Sequence, residues 1–409
     1  MPTPVERSAL EFYEARRIVI DAVRSITIHR RVETVSVEAA YSRMLAQAVI
    51  ADRDYPAVRR SLRDGFAIMS WDVPGTLKIR GETRAGQVLQ TGLQKGEALE
   101  IMTGAPVPDE ADGVVMLEHV TRVAGADGRP EVNIEQRPEP GQFINERGAE
   151  AKEGDVLIAP STRIDASHIA TLAMAGYTSV QVFAPPALAI LATGDEIVDI
   201  DLEPASHQVR NSNSYMLASL VSACGGKPAI LPVARDTKEA LRPLLEKGLQ
   251  YDMLLISGGV SAGRYDLVKP TLRELAADIH FERVRIQPGG PTAFATLANK
   301  PVFGLPGNPG SSYVTFRLFA QPALEILGGQ TEPLLAFLSA RFEAPFRHKS
   351  GLTRFLPARL SADGEYLRHI RWQGSSDVPA LAKVNAFLVA NHDRESWERG
   401  DLIRVMQKL

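Results

Sequence analysis

Four junctions in the chain place acidic, hydroxyl or glycine residues directly after an apolar run. Ala187 to Ala192 leads into Thr193-Gly194-Asp195-Glu196, and the run ending at Ala234 leads into Arg235-Asp236-Thr237. Met253-Leu254-Leu255-Ile256 leads into Ser257-Gly258-Gly259, with Asp266 and Lys269 following at i and i+3. The run ending at Leu305 leads into Gly307-Asn308-Pro309-Gly310-Ser311-Ser312. Apolar runs of this length, each delivering a tight turn, read as buried parallel strands. Glycine turns let backbone N–H groups approach an anion, and open α/β sheets bind ligands at this carboxyl edge. Each junction alone reads equally well as a helix cap, a turn or a solvated carboxylate, and an aspartate placed like Asp236 more often caps the next helix. Together they suit a Mg²⁺-bridged phosphate or oxyanion ligand better than a neutral one. The chain contains neither the Walker A lysine motif nor G-x-G-x-x-G, which disfavours an ATPase or a dinucleotide dehydrogenase.

The elements that must position these residues alternate strand and helix from Pro186 to about Gly328, which predicts a doubly wound, mostly parallel α/β domain over 186–328. Before it, short β runs and Gly, Pro and Asp turns predict a small β domain over 51–151. Within that segment, Ser61-Leu62-Arg63-Asp64-Gly65-Phe66-Ala67 and Met102-Thr103-Gly104-Ala105-Pro106-Val107-Pro108 are richer in reactive types than a β filler needs. Residues 152–185 are too short to stand alone. They are expected to combine with 1–50 as a mixed α/β domain, making the β domain an insertion. Ser8 and Glu11 form the pattern of a capping box before a first helix, and Ser36 is expected to start a second over Val37 to Val49. Residues 329–409 return to β patterning and predict a C-terminal β domain.

The 409 residues are enough for two to four domains. A net charge of −3 argues against nucleic acid as a partner. The single cysteine, Cys224, excludes a disulfide framework and reads as a buried hydrophobe, and the eight histidines show no metal-ligand spacing. No apolar run approaches the roughly 20 residues that span a bilayer, and no signal-peptide core is visible, so a cytoplasmic location is expected.

Read together, SLRDGFAI, IMTGAPVPDEADGVVMLEHV, ATGDEIV, SGGVSAGRYDLVK and FGLPGNPGSSYVTF resemble the MoeA family of molybdopterin molybdenumtransferases, related to the E domain of gephyrin. The resemblance runs from about Phe12 to the C-terminus. It implies four domains, the α/β one MogA-like and the last barrel-like, in an elongated homodimer. It places the active site where the β domain of one subunit faces the α/β domain of the other. It implies that adenylylated molybdopterin accepts molybdate onto its dithiolene, with Mg²⁺-dependent release of AMP. By motif, catalytic roles fall to Asp64, Thr103, Glu196, Asp236 and Asp266, with Glu196, Asp236 and Asp266 holding the metal. Ser257, Gly258, Gly259, Ser261, Lys269, Pro288, Gly307, Asn308, Pro309, Ser311 and Ser312 fall in the pterin- and phosphate-binding stretches. A protein that adenylylates molybdopterin is an implied partner.

The chain departs from the family pattern where many members read K-P-G-K-P and this one reads Gln287-Pro288-Gly289-Gly290-Pro291. Two ammonium groups are missing there, so an oxyanion must rely on backbone N–H groups, Ser311, Ser312 or a nearby arginine. Arg60 and Arg63 stand beside Asp64 where an asparagine and a methionine are usual, and Glu150 replaces an aspartate. These departures keep two other readings open: a molybdopterin-binding carrier or scaffold without catalysis, and an insertase that prefers tungstate.

Overall fold

The computed structural model describes residues 9–26, 29–88, 92–260 and 267–409. Ser261 and Asp266 therefore lie outside the described residues, as does Ser8 of the expected capping box. Helix Phe12–Ser25 begins at Glu11, whose side chain makes no cap hydrogen bond and instead pairs with Arg285 at 2.7 Å.

The central sheet has the strand order Lys227–Ile230, Ala187–Ala192, Met253–Ser257, Lys300–Leu305, Ala293–Leu297, Asp278–Phe281. The first four strands are mutually parallel, Ala293–Leu297 runs antiparallel to them, and the edge strand Asp278–Phe281, antiparallel to Ala293–Leu297, returns to their direction. Alternation along the strands sends side chains to two separate cores. Leu188, Ile190, Met253, Leu255, Phe303 and Leu305 pack with helices Phe12–Ser25, Ser212–Ala223 and the helical run from Pro309 to Leu327. Ala189, Leu191, Leu254, Ile256 and Val302 pack with helices Lys238–Gly248 and Val268–Glu274. Both faces are covered, so the strands carry no polar face, and each fully buried Leu or Ile contributes about 1.5–3 kcal/mol. Helix cover on both faces leaves only the strand ends accessible, and that is where the polar junctions lie.

Strand Val32–Ser36 pairs antiparallel with Ser179–Phe183, and Val49–Ile50 with Val156–Ile158, so chain before and after the intervening β segment closes on itself. The helix expected over Val37 to Val49 does not form. Only a short 3₁₀ turn, Val37–Ala39, is present. Ser42 takes φ 65°, and Met44 and Leu45 bridge to Arg163 and Val182 instead. Burying Leu45 in the cluster with Ile158, Leu172 and Val182 outweighs the local helical preference. Helix Ala166–Met174 is capped by Asp165 and followed by Gly176 at φ 76°.

A second six-stranded sheet, ordered Gly113–Met116, Gly65–Ile68, Glu97–Ile101, Gly75–Thr83, Pro130–Ile134, Val120–Ala124, makes up the β segment. At the C-terminus five strands close into a barrel: Thr353–Leu360, Tyr366–His369, Leu338–Phe342, Leu402–Gln407 and Ala386–Ala390, which returns to pair with the first. Phe342, Leu367, Leu388 and Val405 fill it, while Phe355, Phe387 and Met406 point outward into the core around Leu188 and Phe303. Strand Thr353–Leu360 also pairs in parallel with Ile286–Gln287, which joins the barrel to the edge of the central α/β unit.

Candidate active site

The carboxyl ends of the parallel strands open into a cleft of about 1050 Å³. Its floor contains Thr193, Gly194 and Glu196, Ser257 to Val260, and Pro306 to Pro309 with Ser311. The turn Gln287 to Pro291 and residues Arg354, Trp372 and Ser375 of the C-terminal β domain line the cleft as well. The two glycine turns nearly touch there, because a β carbon on Gly307 would stand 3.7 Å from the α carbon of Gly258. Gly258 itself adopts φ +97°, and a β carbon on it would lie 2.5 Å from the Thr193 carbonyl oxygen, so only glycine fits.

One side chain stitches these turns together. The Asn213 amide donates from Nδ2 to Ser257 Oγ at 2.8 Å and to the Gly307 carbonyl at 2.7 Å. Its Oδ1, like the Oγ1 of Thr193, is buried without a hydrogen-bond partner among the described residues. Asn213 lies in the first turn of helix Ser212–Ala223, whose N-cap is Asn211 accepting from the Ser214 N–H. The run Asn211-Ser212-Asn213-Ser214 was the available signal: polar, cap-forming residues leading a helix toward a strand edge.

Two carboxylates, Glu196 and Asp236, also line the cleft. Asp236 does not cap the following helix; Thr237 does, accepting from the Ala240 N–H. The Asp236 carboxyl is held above the usual carboxylate range by burial first, then by repulsion from Asp195 and Glu196. Asp195 accepts the Asp236 N–H at 3.3 Å and lies 3.8 Å from Arg235. No group of three metal-ligating side chains is assembled among the described residues, but Asp266 is outside them.

The other sequence-identified positions divide between the cleft and elsewhere. Pro288, Asn308, Pro309 and Ser311 line the cleft, and Asn308 donates to Ser375 Oγ of the barrel at 3.0 Å. Ser312 is fully buried, and its hydroxyl donates to the Pro306 carbonyl, shaping the loop rather than facing the cleft. Lys269 lies in the first turn of helix Val268–Glu274 and is not part of the cleft wall. Asp64 and Thr103 belong to the β segment and do not line this cleft. The register Gly65↔Ile101 brings them side by side at the end of two neighbouring strands, where both are exposed. Sequence reading named neither Asn213 nor Arg354. Only the strand pairing Gln287↔Arg354, between chain segments far apart in sequence, brings Arg354 to the cleft.

Residues 10–176 match the family model for the MoeA N-terminal region (domain I and II), 189–326 that described as a probable molybdopterin binding domain, and 339–408 that for the MoeA C-terminal region (domain IV). A molybdopterin molybdenumtransferase of Bacillus subtilis is 31% identical over 403 residues, covering 95% of this chain and 93% of that one. The chain belongs to the molybdopterin molybdenumtransferase family. A second member, from a Nostoc species, is 35% identical over 327 residues, covering 77% of this chain and 74% of its own length. The crystal structure of a molybdopterin biosynthesis MoeA protein from Pyrococcus horikosii superposes with a TM-score of 0.74 at 31% identity, covering 98% of this chain and 99% of that one. The match to molybdopterin molybdenumtransferases thus extends through the β segment, the α/β unit and the barrel together. Among the described residues no helix is long and apolar enough to cross a membrane.

Proposed function

We propose that the protein is a molybdopterin molybdenumtransferase that inserts molybdate into adenylylated molybdopterin and releases AMP. The observation that carries this reading is the cleft itself: glycine turns at the carboxyl edge of a parallel sheet, lined also by Glu196 and Asp236 and by Arg210 and Arg354. Such a site takes an anionic ligand held together with a cation. Glycine turns and the N–H groups they expose would cradle phosphate oxygens around Ser257 to Gly259 and Gly307 to Ser311.

Glu196 and Asp236, with Asp266, would hold Mg²⁺. The donor set fits a hard cation, because Asp236 is crowded by Asp195 and Glu196 and has no cationic group among the causes that shift it. When bound, the ion would neutralise charge on the phosphoanhydride as it breaks. The chain's own contribution is placement: Asn213 fixes the relative position of the two turns, and Asp236 keeps a carboxylate close to the scissile end.

Asp64 and Thr103 are assigned to the cleft of a partner subunit in a homodimer, since they stand away from this chain's own cleft. The partition into 1–50 with 152–185, 51–151, 186–328 and 329–409 belongs to the same reading. So do a cytoplasmic location and docking of the protein that adenylylates molybdopterin.

The test is AMP release from adenylylated molybdopterin with Mg²⁺, titrated separately with molybdate and with tungstate. Release stimulated by molybdate is the expected result. Stimulation by tungstate at lower concentration would shift the assignment to a tungstate insertase. Tight pterin binding without release under either anion would make the protein a carrier and overturn the proposal.

A further inference from the structure

We propose that Arg60 and Arg63, on the turn that carries Asp64, clamp the phosphate groups of a ligand lying in the partner subunit's cleft; this rests on the insertase and homodimer reading above. Three arginines, Arg59, Arg60 and Arg63, lie close together in this stretch, and their surroundings differ. Arg59 is taken up by structure: it pairs with Glu146 at 3.2 Å and donates to the Pro108, Asp109 and Ala111 carbonyls. Arg60 and Arg63 are exposed, and neither guanidinium makes a hydrogen bond or ion pair among the described residues. The acids of the segment that pairs with this turn are already engaged, Glu146 by Arg59 and Glu150 by the Asn145 amide at 2.9 Å. Asp64 is held by Thr103, and no arginine is among the causes that set its charge. The Arg63 guanidinium stands 5.8 Å from the centre of the Phe143 ring, a contact that orients it without neutralising it.

The turn itself is fixed before any ligand arrives. Arg60 is registered with Asn145 and bridges to Pro106. The buried Ser61 hydroxyl accepts the Arg63 N–H at 3.2 Å and donates to the Arg63 carbonyl, while the Gly104 N–H donates to the Ser61 carbonyl at 2.8 Å. Leu62, between the two arginines, is 47% exposed, so the turn presents an apolar side chain flanked by cations. That composition suits a face closing over a charged ligand on a second copy of the chain. The cleft lacks what this turn supplies. Among the described residues its charged side chains are Glu196, Asp236, Arg210 and Arg354, so it brings no net positive charge of its own. The Arg210 Nε, moreover, already donates to the Leu202 carbonyl at 3.0 Å. A phosphoanhydride carries negative charge on both phosphates, and a guanidinium fork matches phosphate oxygens in geometry and charge. Two guanidiniums against one carboxylate leave the turn positive, which lets Asp64 approach an anionic ligand that it would otherwise repel.

The experiment is equilibrium dialysis of radiolabelled pyrophosphate, with Mg²⁺, against the full-length protein, for wild type, the double variant R60Q/R63Q and the control R129Q. Arg129 is exposed on the same β domain and precedes a strand three places from Gly65–Ile68, so R129Q makes a like change of charge away from the turn. Thermal melting checks that each variant folds. The expected result is equal binding by wild type and R129Q and a loss of about tenfold or more in R60Q/R63Q. Affinity in R60Q/R63Q should also depend less steeply on salt, which a merely structural role would not change. Equal binding in R60Q/R63Q and wild type, or no binding by wild type, would overturn the proposal. In steady-state AMP release the double variant should show a raised KM for adenylylated molybdopterin. Mixing it with Asp236→Asn and allowing subunits to exchange should bring back turnover at the wild-type KM, because one cleft of each heterodimer then meets intact arginines. Exchange that leaves only the raised KM would place the arginines outside the partner's cleft and overturn the proposal. Dialysis needs no turnover, so a protein that binds pyrophosphate through Arg60 and Arg63 yet releases no AMP would refute the insertase reading alone. AMP release at the wild-type KM in R60Q/R63Q would refute this proposal alone.

Discussion

One oxygen of Asp64 accepts two hydrogen bonds from Thr103, from its backbone N–H at 2.6 Å and from its hydroxyl at 2.8 Å. The two residues are 39 apart in sequence and meet because the strand beginning at Gly65 runs antiparallel to the one ending at Ile101. Both donors favour the ionised carboxyl. Asp64 accordingly sits below the usual carboxylate range, the backbone N–H being the larger cause and the hydroxyl the second. A carboxylate fixed this way stays charged and oriented while exposed to water.

Thr103→Val should therefore raise the Asp64 value only part of the way back, because the backbone donor remains. A depressed folded value means that the interaction contributes to stability above the unfolded carboxyl range and is lost as pH falls through the folded value. NMR titration of the Asp64 side-chain carbonyl in wild type and variant measures this directly. An unchanged midpoint would show that the hydroxyl contributes nothing.

Asp236 presents the opposite sign. Burial and then the neighbouring Asp195 and Glu196 raise it, so its charge opposes folding once pH rises through the folded value, and that penalty is absent below the unfolded carboxyl range. Asp236→Asn should melt higher than wild type at pH 7, and the two melting curves should converge in acid. The same variant should lose activity by about 100-fold, the scale seen when one electrostatic contact to a transition state is removed. Added Mg²⁺ should raise the wild-type melting temperature more than that of the variant. A variant melting below wild type at neutral pH would contradict the crowding argument.

Asn213→Ala removes two hydrogen bonds that join the Ser257 and Gly307 turns. The side chain is nearly buried, at 9% exposure, so its loss leaves a hydroxyl and a carbonyl without that partner. Denaturant unfolding should show a destabilisation of about 1–3 kcal/mol. Pterin affinity should fall with it, since the spacing of the two turns is no longer fixed. Full affinity in a folded Asn213→Ala protein would mean that the strands alone set that spacing.

The junction residues were legible because strand ends punctuate apolar runs. Thr193, Glu196, Ser257, Gly258 and Gly307 could be placed at one edge from pattern alone, and they line one cleft. The helix expected over Val37 to Val49 failed because its apolar positions serve a tertiary pairing, Leu45 with Val182, that no local window contains. The alternative reading of Asp236 as a helix cap does not hold, because Thr237, one residue on, takes that position. Asn213 and Arg354 were not visible because their roles depend on partners 44 to 94 residues away for the first, and on a barrel strand laid beside Gln287 for the second. Apolar periodicity locates strand ends well, but it carries little information about which distant side chain fills the space between them.

Lysines installed at the turn Gln287 to Pro291 probe whether the site has charge to spare. Gln287 is exposed, and a β carbon on Gly290 would stand 3.4 Å from the Ile286 carbonyl oxygen, an ordinary contact. The double variant Gln287→Lys, Gly290→Lys should therefore fold, as its melting curve would verify. The added ammonium groups should tighten molybdate binding by about tenfold, roughly one charged hydrogen bond. No gain would show that the anion does not lie against this turn.

Asp64 lies at the end of the β sheet and Asp236 at the edge of the parallel sheet, and a cleft completed across a two-fold axis would need one from each subunit. Asp64→Asn and Asp236→Asn homodimers should each be nearly inactive, because every site lacks one carboxylate. Mixing the two and allowing subunits to exchange generates heterodimers in which one site carries both defects and the other carries neither. AMP release should then reappear, rising with the heterodimer fraction measured by native mass spectrometry. If both carboxylates served the same chain's site, every site in the mixture would still be defective and no activity would return. Subunit exchange without recovered turnover would thus place Asp64 outside the partner's cleft.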